Sequence, residues 1–363
     1  MNDIETKTEE IKLHPRLKGL FDLAIKEDAT DIHLSFGNPP ILRKSGSLMP
    51  VEGDKILNDE EIKALAFSIL TSQFQEKFLA YKDLDLSYAY ENKARFRVSI
   101  YQQTGKVSAA FRLIPTKVRT IEELDLPPIL REFTKVSQGF FLVVGPSGHG
   151  KSAALASMIE DINEKRRDHI ITIEDPIEYL YEQKNCIIDQ REVGTDVQDF
   201  HRGLRAMFRE DADVVMIGEL RDPETISTAI TAAETGHLLF STLHTNTAAQ
   251  TIDRIIDSFP PHQQGQIKMQ MANTMLGILS RRLLPKKGGG VINAVELLIA
   301  NSAVRNLIRE GKVHQIDMVI ETGQEEGMIS LNRSLADLVR KDLITYENAE
   351  IYSTNPQELR MMI

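Results

Sequence analysis

The sequence predicts an α/β protein in which an α+β domain precedes a mostly parallel core. Three observations carry that expectation. The first is the run Gly145-Pro-Ser-Gly-His-Gly-Lys-Ser152, a G-x-x-x-x-G-K-[ST] phosphate loop. It follows the apolar stretch Gly139–Val144 and precedes a helical pattern over Lys151–Glu164, with Leu155, Met158, Ile159 and Ile162 on one face. The second is the regular alternation of strand and helix patterns from Ile129 onward, the mark of a parallel sheet. The third is the period-two alternation of Leu84–Tyr90, Ala94–Gln102 and Lys106–Leu113, which reads as antiparallel strands with Gly105 in a turn.

The elements follow in order. Residues 1–14 read as a weakly ordered lead. Pro15–Glu27 reads as a helix, and Asp31–Phe36 and Ile41–Lys44 read as strands. Helices are expected over Asn58–Leu70, with Asn58 as N-cap, and over Gln73–Tyr81. The α+β domain is thus expected over 1–114. Pro115, Pro127 and Pro128 mark a linker over 115–128. The core is expected over 129–300, with strands at Gly139–Val144, His169–Ile173, Val214–Ile217, Leu238–Ser241 and Val291–Leu298. Helices are expected at Lys151–Glu164, Asp199–Phe208, Pro223–Glu234, Ala248–Ser258 and Gln263–Leu284. A helical region over 301–363 closes the chain, with Ser302–Arg309, Ser330–Lys341 and Tyr346–Tyr352 as its patterns.

Composition narrows the function classes. The chain has 363 residues, 42% hydrophobic and 26% charged, room for two or three domains. No apolar run approaches membrane-spanning length, and the polar, acidic start is not a signal-peptide pattern. One cysteine, Cys186, excludes an internal disulfide framework and a four-cysteine zinc site, and a reducing cytoplasm is the expected compartment. A net charge of −10 without any Lys/Arg run argues against nucleic acid as a partner.

The loop dictates the chemistry to look for. Backbone N–H groups at Gly145, Ser147, Gly148, His149, Gly150 and Ala153 can wrap a polyphosphate at a helix N-terminus, where side chains would block close approach. Lys151 is expected to neutralise β- and γ-phosphates, and the Ser152 hydroxyl to bind Mg²⁺. The second core strand ends in Glu174-Asp-Pro-Ile-Glu178, placing Glu174, Asp175 and Glu178 at the C-terminal edge, where parallel sheets bind ligands. Glu174 and Asp175 are therefore candidate Mg²⁺ ligands, partly through water. The third strand, Asp213-Val-Val-Met-Ile-Gly-Glu219, reads as a Walker B segment with Glu219 as the acid that orients or deprotonates water. His237 and His244 bracket the fourth strand, and His244 lies on the phosphate side. Arg205 and Arg209, spaced i, i+4, with Arg221, Arg97 and Arg112, are the guanidinium candidates for the γ-phosphate or for surface ion pairs.

Together these blocks resemble the type II/type IV secretion-ATPase superfamily, and within it the type IV pilus retraction ATPases of the PilT/PilU type. The resemblance spans roughly Leu17 to Leu343. Ile171–Glu178 is similar to that family's Asp box, Asp213–Asp222 to its Walker B box, and Thr231–Arg254 to its His box. Arg95–Val98 and Phe111–Pro115 match its first-domain arginine strands, and Ala303–Glu310 its retraction-type helix. The resemblance implies a PAS-like N-terminal domain, a RecA-like ATPase core and a homo-hexamer that uses ATP and Mg²⁺. It implies Glu219 as the catalytic acid–base residue, assisted by Glu178 and His244. Arg97 and Arg112 would contact the γ-phosphate, with Arg205, Arg209 and Arg221 at a closed interface. It further implies action on the inner-membrane platform protein, from the cytoplasmic face, with a paralogous retraction ATPase as a possible partner.

Some positions depart from the family pattern. His149 replaces a small residue, Ala153 a threonine, and Ser147 a threonine. His149 is expected either to slow nucleotide entry or to add a phosphate donor below neutral pH. The tail Ile344–Ile363 has some look of the accessory retraction ATPases, which leaves principal and accessory motors both open. A weakly hydrolysing module that docks on a partner ring is a further alternative. So is an assembly or secretion ATPase, although Leu284–Gly290 holds no tetracysteine insertion.

Overall fold

The computed structural model describes residues 12–44, 47–91, 93–114 and 117–363. Most of the expected N-terminal lead lies outside the described residues. The chain divides into two compact units, one of residues 1–117 with 178–180, the other of residues 118–177 with 181–363.

In the first unit, helix α1 (Pro15–Lys26) precedes strands β1 (Asp31–Leu34), β2 (Ile41–Lys44) and β3 (Ser47–Pro50). Helices α2 (Asp59–Phe67) and α3 (Ser72–Tyr81) then lead to β4 (Asp83–Tyr90), β5 (Ala94–Gln103) and β6 (Lys106–Ile114). Asn58 caps α2 as expected, in a reciprocal capping box with Glu61. The strands form an antiparallel six-stranded sheet in the order β3-β2-β1-β6-β5-β4. Strand β3 was not expected, because its four residues are all exposed and show no alternation. Register sets Arg97 directly opposite Arg112, and Arg112 opposite Asp31, whose carboxylate accepts from Arg112 Nε at 2.8 Å.

The core of this unit gathers on Phe21. Its ring lies 4.1 Å from Phe96 in a stacked pair and meets Tyr90 and Phe111 edge-on at 5.2 and 5.4 Å. Such contacts add to the area buried by a fully enclosed aromatic ring.

The second unit begins with α4 (Leu130–Lys135), β7 (Gly139–Val144), α5 (Lys151–Lys165), β8 (His169–Glu174) and β9 (Ile187–Glu192). Next come α6 (Phe200–Met207), β10 (Val214–Ile217), α7 (Pro223–Glu234), β11 (Leu238–Leu243), α8 (Ala248–Asp257) and α9 (Pro261–Thr274). Strands β12 (Met275–Pro285) and β13 (Val291–Ile299) form a hairpin. Helices α10 (Ser302–Glu310), α11 (Ile316–Thr322), α12 (Leu331–Arg340), α13 (Tyr346–Tyr352) and α14 (Pro356–Met362) follow. The seven strands run β13-β12-β7-β11-β10-β8-β9, all parallel except the edge strand β13.

Successive side chains of a strand face opposite sides. Phe140, Leu142 and Val144 pack with α6 through α11, whereas Phe141 and Val143 pack with α4 and α5. Ile121, Leu124 and Leu126, within the stretch read as a linker, are buried in the latter cluster. A separate cluster joins Leu284, Ile292 and Ala294 of the hairpin to Leu335, Ile344, Ala349 and Leu359 of the C-terminal helices.

The expected helix over Gln263–Leu284 is corrected. It ends at Thr274, and Met275–Pro285 is strand β12. Nearly every residue of β12 is buried on both faces, so its apolar run carries no period to separate strand from helix. Arg209 likewise does not share a helix face with Arg205, because α6 stops at Met207 and is capped at Phe208.

Phe21→Ala is expected to destabilise the first unit by about 3–5 kcal/mol. Thermal unfolding followed by circular dichroism should show an earlier transition, and an unchanged melting curve would contradict this packing.

Candidate active site

Register brings the functional ends of three strands to one edge. Val144 pairs with Leu243, and Ile217 with Ser241, so Gly145, Glu219 and His244 all begin where the sheet stops. The Thr242 hydroxyl holds the Gly218 carbonyl at 2.7 Å, and Leu220 N–H donates to the Thr242 carbonyl at 3.1 Å. These bonds fix Glu219 beside the end of β11.

The loop between β7 and α5 needs its glycines. Gly145, Gly148 and Gly150 all have positive φ. At Gly145 a Cβ would stand 2.6 Å from the Arg281 carbonyl oxygen, so no larger residue fits. Lys151 is buried, and its ammonium donates to the carbonyls of Gly145 and Pro146, both at 3.0 Å. Ser147 and Gly148 are exposed, and Ala153 packs on the apolar cluster below. The α5 N-terminus points its first N–H groups at this loop, a favourable place for anionic oxygens.

A chain of polar contacts leaves Lys151. Its Nζ lies 3.4 Å from His244 Nδ1, and His244 Nε2 lies 3.3 Å from Glu219 Oε2. An ammonium can only donate, so the fitting tautomer carries its proton on Nε2 and gives it to Glu219. Burial, together with Lys151 and Arg221, holds the His244 pKa below its ordinary value and keeps the ring neutral. Glu219 also accepts from Arg221 Nε, and Arg221 Nη1 reaches Asp175 at 3.1 Å. The structure therefore joins Lys151, His244, Glu219, Arg221 and Asp175.

Other candidates sit elsewhere. The Glu174 carboxylate is buried and accepts from Thr172 at 2.7 Å and Gln190 at 3.2 Å, on the β9 side of its strand. Glu178 is exposed in the loop that follows. Arg205 and Arg209 are exposed and make no ion pair among the described residues. His237 caps the opposite end of β11, with Nδ1 3.0 Å from the Ala232 carbonyl.

Sequence reasoning missed β12. Arg281, 1% exposed, donates from Nη1 to the Gly150 carbonyl. Arg282 Nη2 and the Ser280 hydroxyl both hold the Asn246 carbonyl at 2.8 Å. The break at Gly277 within the expected helix was the available signal. His149 is tied to the same strand, since its Nδ1 accepts from Leu283 N–H at 3.0 Å.

The donor set suits Mg²⁺ bound with a nucleotide. The Ser152 hydroxyl makes no hydrogen bond among the described residues and stands at the start of α5, and carboxylates lie at the neighbouring strand ends. No group of three or more His, Cys, Asp or Glu among the described residues could cage a metal alone. That agrees with an ion that keeps water and phosphate oxygens as ligands.

Residues 83–344 match the family described as Type II/IV secretion system protein, and the chain belongs to that family. It is 41% identical over 338 residues to the type IV pilus retraction ATPase PilT of Pseudomonas aeruginosa, covering 93% of this chain and 98% of that one. Identity to the type IV pilus ATPase PilU of the same organism is 35%, over 95% and 90%. The crystal structure of the pilus retraction motor PilT with bound ADP aligns with a TM-score of 0.89 at 42% identity, covering 95% of this chain and 98% of that one.

Gly145→Ala is expected to weaken ATP binding at least about tenfold, because the added methyl must push the loop off the Arg281 carbonyl. Titration with a fluorescent ATP analogue measures it, and wild-type affinity would contradict the close approach.

Proposed function

We propose that this chain hydrolyses ATP as the principal motor of type IV pilus retraction, working as a homo-hexameric ring on the inner-membrane platform protein at the pilus base. The observation that carries the reading is the contact chain Lys151–His244–Glu219 at the end of a phosphate loop. Near full-length likeness to a retraction ATPase supports it.

In this reading the loop N–H groups and Lys151 bind the polyphosphate of ATP. Bound Mg²⁺, held by Ser152 and through water by Asp175, would neutralise charge on the β- and γ-phosphates. Glu219 orients the attacking water and takes its proton. His244 keeps Glu219 placed relative to Lys151, so the base and the phosphate anchor move together. Glu174 and Glu178 bound the acidic edge. Arg97, Arg112, Arg205, Arg209 and Arg221 supply guanidinium charge to the γ-phosphate, some of them from a neighbouring subunit. Arg205 and Arg209, exposed and without an ion pair among the described residues, suit that role. Motion of the first unit relative to the second would convert hydrolysis into stepping of the platform.

Three further observations bear on the alternatives. No helix among the described residues is long and apolar enough to cross a membrane, which fits a peripheral site at the cytoplasmic face of the inner membrane. Identity is higher to the retraction ATPase PilT, at 41%, than to the type IV pilus ATPase PilU, at 35%, which supports the retraction reading. Only Lys286–Gly290 connects β12 to β13, where a zinc-bearing insertion would mark an assembly ATPase.

Glu219→Gln should leave ATP binding intact and lower turnover by roughly 10²–10⁴-fold. Phosphate release by the purified ring measures it. Turnover equal to wild type would remove Glu219 from the chemistry. In cells that also carry a paralogous motor, Lys151→Ala should abolish retraction, and normal retraction would favour the accessory reading.

A further inference from the structure

Strand β12 outlasts its partner on the loop side. Pairing with β7 ends where Val144 meets Ser280, yet β12 continues to Pro285. Beyond Ser280, on that side, the phosphate loop takes the place of a strand. Three loop residues meet this edge. Gly145 packs against the Arg281 carbonyl, the Gly150 carbonyl accepts from Arg281, and His149 Nδ1 accepts the N–H of Leu283 at 3.0 Å. Arg281 is itself held from the other side, because Nη2 donates to Asn293 Oδ1 on β13 and Asn293 Nδ2 donates to the Leu124 carbonyl.

We propose that His149 and Arg281 are positioning residues that latch the closing turn of the phosphate loop onto β12, and so preset the loop to receive a polyphosphate. The inference rests on the reading of this loop as an ATP site and adds what holds it in shape. Gly148 and Gly150 flank His149 with positive φ, a backbone that alone has many alternatives and must lose that freedom when a ligand binds. The latch spends that entropy during folding, which lowers the cost of binding. The same strand serves the second loop, since Ser280 and Arg282 hold the Asn246 carbonyl. Alternation along β12 therefore sends Arg281 to one nucleotide loop and its neighbours to the other.

The imidazole works as an acceptor, so it must be neutral. Burial, then Arg282, Lys151 and Arg281, hold its pKa below the ordinary value. Arg281 and Arg282 face it from β12 and Lys151 from α5, and all oppose protonation. The bond to Leu283 is complete at neutral pH and is lost as pH falls through the lowered value. Acid therefore loosens the loop. A His149 that instead donated directly to phosphate would bind ATP more tightly in acid.

The test is titration of the full chain with a fluorescent ATP analogue and Mg²⁺, alongside steady-state turnover, between pH 5.5 and 8 on the order of half-unit steps. His149→Ala should raise the dissociation constant and KM about tenfold at neutral pH with a much smaller change in kcat. His149→Gln, which keeps an acceptor but does not titrate, should recover most of that loss and flatten the acid limb expected of wild type. Asn293→Ala, which releases Arg281 from β13 without touching the loop, should raise the dissociation constant severalfold, with circular dichroism confirming the fold. Equal affinity in wild type and His149→Ala would overturn the latch while leaving the ATP reading intact. So would tighter binding of wild type in acid. A wild-type chain that binds no nucleotide would overturn the ATP reading and the latch with it.

Discussion

Parallel pairing of β7 with β11 and of β11 with β10 is the constraint on which the site depends. The pairings bring three loop residues to one rim of the sheet: Gly145 and His244, each one residue past the Val144–Leu243 pair, stand level, and Glu219, two residues past the Ile217–Ser241 pair, stands level with Leu243. A slip of one residue would turn every buried side chain of a strand to the other face. Both faces here are closed by apolar clusters, so register is fixed by burial on two sides at once. The precision of the Lys151–His244–Glu219 contacts is thus a property of the core, delivered at its rim.

The β12–β13 hairpin extends that rigidity. Its middle, Ser280 to Leu283, holds the two loops that flank the phosphate site. Its far part, through Leu284, Ile292 and Ala294, is buried against the C-terminal helices. The Val295 N–H also donates to the Ser334 hydroxyl at 3.1 Å. One hairpin therefore links the nucleotide loops with the helical region by continuous packing. Glu296, on the same strand, accepts from the Ala248 N–H at the start of α8, and burial raises its pKa to about 7. This buried carboxyl anchors the helix that follows the His244 loop.

Much of this was legible in the sequence because the signals were local. The phosphate loop declares itself through glycine spacing, and β7, β10 and β11 through short apolar runs that end in polar residues. Asn58 announces its helix by N-capping chemistry. Glu219 and His244 could be placed because a parallel sheet sends its strand ends to one edge. The losses were tertiary. Nearly all of residues 275–285 are buried, on both faces, so periodicity could not separate strand from helix. With β12 misread, Arg281 and Arg282 looked like the end of a helix rather than supports of two loops. His149 could be seen as unusual, but its partner, a backbone N–H far along the chain, could not be read from spacing. The partners of Glu174 were likewise out of reach, since a strand-end position does not reveal the Thr172 hydroxyl and Gln190 amide from which its carboxylate accepts.

The most direct measurement is an experimental structure of this chain with Mg²⁺ and a non-hydrolysable ATP analogue. The account predicts a terminal phosphate within hydrogen-bond reach of Lys151, the metal on Ser152, and a water between that phosphate and Glu219. A saturating analogue bound away from Lys151, or Glu219 turned from the phosphate, would contradict it.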